Sequence, residues 1–139
     1  MSITTTATSS SPSTVNAAVL IGRIFLAVMF VLAGYSKLTA IGATAGWFES
    51  LGLPMPSVVT VVAGLVELVG GLAIIAGFQT RIAALVIAAF TVGATLIAHM
   101  DFADQTQQLF FMKNLAVTGG LLVLAAFGAG AYSLDARRG

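Results

Sequence analysis

The chain has no cysteine and one histidine, and charged residues fill only 8% of its 139 positions. Without a thiol it forms no disulfide, offers no thiolate metal ligand and carries no CxxC redox pair. The cysteine-dependent membrane thiol oxidases, which can also be small four-helix proteins, are thereby excluded. One histidine and five acids are a poor basis for a metal centre, so no metal is expected. A net charge of +1 gives nucleic acid nothing to bind. Hydrophobic residues, in contrast, make up 58% of the chain. No soluble domain of this length has a core large enough to hide that much apolar surface. The class is an integral membrane protein with several spans and lipid as its first partner.

Residues 58–78 organise the rest. They read VVTVVAGLVELVGGLAIIAGF, with a single acid, Glu67, near the middle. Crossing a ~30 Å hydrocarbon layer takes roughly 20 apolar residues. A carboxylate at that depth costs ~2.5–3.5 kcal/mol even on the mildest insertion scale, so it should face protein and have a partner. Gly64, Glu67, Gly70 and Gly71 share one narrow helical face, which invites close approach by another helix.

Around this stretch the chain divides into an uncharged Ser/Thr-rich tail, 1–16, and a membrane domain, 17–136. The tail is expected to be disordered. It lacks Lys and Arg, and the apolar run after it is too long for a cleaved signal peptide. Spans are expected at about 17–38, 58–78, 81–100 and 109–127. In the first, Arg23, Ala27, Phe30, Gly34 and Lys37 share a face. Both cations sit near the ends, where long side chains can snorkel, although Arg23 is deep enough for an inward ion pair. Between spans 1 and 2, Trp47, Phe48 and Leu51 gather on one side of a short helical pattern. This reads as an interfacial helix, either an anchor or a lid, before Gly52, Pro54 and Pro56 break the chain. Gly77 to Thr80 forms a tight turn with Thr80 as the N-cap of span 3. Span 3 carries Arg81, Ala84, Ala88, Thr91, Thr95 and Ala98 on one face. His99 at its far end reads as an interfacial residue or a proton relay. Asp101 to Gln108 is a polar loop, and Lys113, Asn114 and Thr118 open span 4.

The expected fold is thus an all-α, antiparallel four-helix membrane bundle with a short interfacial helix. Arg81, Arg137 and Arg138 fall on the side of the termini. Lys37 and Lys113 share the other side with Glu49, Asp101 and Asp104. The positive-inside rule then places both termini in the cytoplasm. By depth, Glu67 lies about 15 Å from either end of its span, Arg23 about 9 Å in from one end and Lys113 about 6 Å in from the other. Glu67 can therefore pair with Arg23, with Lys113, or with both through Asn114. With His99 these residues make a polar cluster that either specifies helix packing or binds a head group and relays protons.

Several short motifs, in order and spacing, resemble the DoxX family of small bacterial inner-membrane proteins. They are Gly22-Arg23-Ile24-Phe25-Leu26, Ala33-Gly34-Tyr35-Ser36-Lys37-Leu38, Gly52-Leu53-Pro54, Glu67-Leu68-Val69-Gly70-Gly71 through Gly77 to Thr80-Arg81, Lys113-Asn114-Leu115, and Gly128-Ala129-Gly130 with Ser133-Leu134-Asp135. The likeness covers about 18–136. It implies a four-helix inner-membrane protein similar to the membrane subunit of thiosulfate:quinone oxidoreductases. Quinone is then the expected cofactor, and redox-enzyme subunits or further copies of the chain are the expected partners. A small proton-coupled transporter and a purely structural membrane protein are the competing readings. With no nucleophile–base pair and no phosphate loop, a self-contained enzyme is not expected.

Overall fold

The structure is a computed structural model that describes residues 11–138. Six helices follow in order: α1 (Pro12–Thr39), α2 (Ile41–Ser50), α3 (Pro56–Ala76), α4 (Thr80–Ala98), α5 (Gln105–Phe127) and α6 (Leu134–Arg137). The described residues contain no strand. Four of the helices, α1, α3, α4 and α5, are long and apolar enough to cross a membrane.

Helix α1 begins earlier than expected. Residues 12–16, read from the sequence as tail, are helical because Ser11 and Pro12 start a helix well. The Ser11 hydroxyl accepts the Thr14 N–H at 3.3 Å, and Pro12 occupies a first-turn position where a missing N–H costs nothing. Residues 1–10 of that tail lie outside the described residues. Helix α5 also starts sooner, at Gln105, with the Asp104 carboxylate accepting the Thr106 N–H at 2.9 Å.

The α3–α4 turn corrects a second expectation. Gly77 closes α3 in the left-handed region at φ 71°, and the Phe78 N–H returns to the Ala73 carbonyl at 2.8 Å, as helix ends with glycine commonly do. Thr80, however, does not cap α4, and its hydroxyl makes no hydrogen bond. The cap comes from Asp135, far along the chain. Its two oxygens accept the Gln79 and Thr80 N–H groups at 2.7 and 2.9 Å.

Neighbouring helices run antiparallel. Where α1 and α3 meet, a Cβ on Gly34 would fall 2.5 Å from the Leu68 nitrogen and 2.6 Å from the Gly64 oxygen. Further along, one on Gly71 would meet Val31 and the Ala27 oxygen. These two backbones touch because both strips lack side chains. Gly70 faces Ile87 of α4 instead. Asn114 meets Thr95 and Arg81 meets Phe127, which sets α4 against α5. Ala27, Phe30, Ile74, Ala84, Ile87, Ala88, Leu121 and Leu124 fill the middle. The outside is apolar as well, with Phe25 78% and Phe127 82% exposed. That is what a bundle solvated by lipid should show.

Candidate ligand site

The bundle has a loop end, with α2 and the α4–α5 connection, and a terminal end, with the α3–α4 turn and α6. The sequence-selected polar residues divide between them.

Arg23 belongs to the terminal end and does not join Glu67. It is 2% exposed, yet among the described residues no carboxylate lies within ion-pair distance. Its guanidinium donates instead to four carbonyls: Ile74 at 3.0 Å, Ile75 at 2.9 Å, Ala129 at 2.6 Å and Tyr132 at 3.0 Å. Ile74 and Ile75 lie in the last turn of α3, at the negative end of the dipole; the Ile74 carbonyl also accepts the Gly77 N–H at 3.2 Å. Arg23 thus ties α1, α3 and the chain after α5 together. Asp135 completes this clamp from the other direction. Burial works to raise its carboxyl, but the Thr80 and Gln79 N–H groups and the Arg138 charge outweigh it. The group is held below its usual 3.8.

Toward the loop end a cavity of about 390 Å³ opens between the four long helices and α2. It brings together Glu67, Lys113, Asn114 and His99 and adds two residues that the depth argument did not place there, Lys37 and Trp47. Glu67, 4% exposed, pairs with Lys37, whose Nζ is 2.7 Å from Oε1. The expected pairing with Arg23 or Lys113 is therefore corrected. The ammonium approaches off the hydrogen-bond axis, so Oε1 has a counter-charge but no aligned donor. Asn114 donates to Thr95 Oγ1 at 2.9 Å, and the Thr95 hydroxyl donates to the Thr91 carbonyl at 2.6 Å. Lys113 is exposed, with Nζ 4.9 Å from the centre of the Phe110 ring. The His99 ring lies 5.0 Å from Phe110 and 6.4 Å from Trp47. Its Nδ1 is buried without a partner.

Helix direction explains why Lys37 pairs with the acid. Side chains in a helix lean toward its N-terminus. Since α1 and α3 are antiparallel, Lys37 leans down toward the bundle middle while Glu67 leans up toward the loop end. The Gly34–Gly64 contact sets a register that leaves about 6 Å of rise between them, well within reach. Lys113 is on α5, which runs with α3, so its stem leans away toward the mouth. Lys37 already shared the predicted inward face of span 1, and antiparallel spans were expected; the missing signal was the register set at the glycine contact, together with the lean of the two side chains toward each other.

Trp47, Phe48 and Leu51 all face the cavity, so α2 roofs it. Met29, Ala63, Phe90 and Ile97 give it a largely apolar wall. An apolar pocket with a few convergent polar groups is the usual form of a small-molecule site.

The fold and this cavity define a class, a multi-pass four-helix membrane protein with a polar group sunk into one end. A family model described as DoxX matches residues 18–100. The chain is 42% identical over 120 residues to inner membrane protein YqjF of Escherichia coli (strain K12), covering 84% of this chain and 88% of that protein. It is 34% identical over 124 residues to inner membrane protein YphA of the same organism, covering 85% and 88%. No solved structure matches the chain. The chain belongs to the DoxX family.

Proposed function

We propose that this protein is a membrane subunit of an oxidoreductase system and that its loop-end cavity holds a quinone head group. The observation that carries the reading is the Lys37–Glu67 pair inside an apolar cavity, with Glu67 Oε1 and His99 Nδ1 both lacking an aligned partner. A quinol hydroxyl can donate to Glu67 Oε1, and a ring oxygen can accept from His99 Nδ1 in the tautomer that carries its proton there. A bound quinone supplies two-electron, two-proton chemistry. On the protein side, Lys37 donates to an oxygen at the inner end of the cavity. Glu67 holds the Lys37 ammonium beside it through their ion pair, and His99 Nδ1 passes protons toward the loop end. Phe30, Phe48 and Phe90 keep water from the ring. Electrons arrive from a partner subunit, because this chain has no redox group of its own.

The buried ion pair also fits a proton-coupled transporter. Below the cavity, however, Ala27, Ile74, Ile87 and Leu121, all with no exposed surface, fill the path to the terminal end. A structural role is the third reading, in which Lys37 and Glu67 only set helix register.

The test is affinity purification from native membranes in mild detergent, with proteins and lipids identified by mass spectrometry. A redox enzyme and quinone should come down with the wild type, and quinone should be lost from a stably inserted Glu67→Gln variant. Protein recovered alone and free of quinone, with proton or solute flux in liposomes, favours transport. A Glu67→Gln variant that inserts stably and keeps full activity and quinone supports the structural role.

A further inference from the structure

The cavity carries more positive than negative charge. Lys37 and Lys113 line it against the single acid Glu67. The excess charge is Lys113 at the exposed mouth of a largely apolar cavity, where an incoming anion can reach it. Glu67 and Lys37 neutralise each other at 2.7 Å. Lys113 has no ion pair among the described residues and meets only the face of Phe110. Next to it stands a flat wall, with the His99 ring between Phe110 and Trp47 and tilted 33° to each. Such faces attract planar groups.

We propose that the cavity selects a planar ring carrying one negative charge. Lys113 matches the acidic oxygen, and Trp47 and His99 take the ring. The ligand class is a ring acid or an ionised hydroxyl on an aromatic or quinonoid ring. This deepens the quinone reading and rests on the same cavity being the ligand site.

Trp47 is the only tryptophan in the chain and lines the cavity, so its fluorescence reports binding directly. The purified full-length protein in detergent is titrated with a hydroxynaphthoquinone, which is ionised at neutral pH, with its neutral methyl ether, and with naphthoate, an anionic ring without redox chemistry. The anionic quinone should bind about tenfold tighter than the ether, since a charge-assisted contact is of that order. Lys113→Gln should erase the preference and Lys113→Arg should keep it.

Equal affinity for the hydroxyl compound and its ether overturns the charge inference and leaves the quinone reading standing. Naphthoate and the hydroxyl compound both binding, with the ether excluded, upholds the charge inference and counts against a quinone. No saturable change with any probe overturns both. If Lys113→Gln elutes as aggregate, the ether-to-hydroxyl comparison on the wild type decides by itself.

Discussion

Arg23 and Lys37 lie on one face of one helix and do different work, because each meets a different end of α3. Arg23 reaches the last carbonyls of that helix, where a cation offsets the dipole and supplies donors to the Ile74 and Ile75 oxygens. Replacing it with Gln removes most of four hydrogen bonds from a site that is 2% exposed. Arg23→Gln should lower stability in detergent by at least about 3 kcal/mol, read as a drop in Tm. An unchanged Tm would show that water serves those carbonyls equally well. Asp135 gives a pH test at the same end. Its folded carboxyl sits below the usual value, so its contribution is present above about pH 4 and is lost as pH falls through the lowered value. Between pH 5 and pH 3 the wild type should lose more Tm than Asp135→Asn. Parallel curves for the two proteins would refute this.

At the scale of elements, α1 and α3 form the tightest pair, and they do so through glycine. A side chain at Gly34 would strike the α3 backbone rather than a movable side chain. Gly34→Leu should therefore force the helices apart, separate Lys37 from Glu67, and sharply reduce inserted protein. Gly22, which has open space around it, is the control: Gly22→Leu should leave the inserted level unchanged. Equal levels of the two variants would mean that the contact is dispensable. Helix α2 is the other informative element. Its amphipathic pattern was visible in the sequence as an anchor or a lid. In the structure Trp47, Phe48 and Leu51 line the cavity beneath α2, a position that either role allows.

The whole molecule sorts its charges by end. Arg81, Arg137 and Arg138 are at the terminal end, and Lys37 and Lys113 are near the loop end with Glu49, Asp101 and Asp104. Cytoplasmic loops favour Lys and Arg, so the terminal end should face the cytoplasm and the cavity should open toward the other side. A reporter active only in the cytoplasm, fused after Gly139, should be active. A stable but inactive fusion would reverse the orientation and move the cavity to the cytoplasmic side.

By itself the sequence determined that this is a membrane protein with four spans. Apolar runs of about twenty residues interrupted by Gly, Pro and polar turns allow little else. It also determined which faces point inward, since Arg23, Ala27, Phe30, Gly34 and Thr91, Thr95, Ala98 recur at the helical period and are buried. Only the tertiary structure decided which charges meet. Depth along a span is a one-dimensional measure, whereas an ion pair depends on helix direction and on which helices touch. Depth alone offered Glu67 two distant cations. The register fixed at the glycine seam between α1 and α3 brought it Lys37 instead. The same holds for Asp135 at the start of α4. A cap supplied across 55 residues of chain leaves no mark in the local pattern, because it exists only once α5 has returned the chain to the terminal end.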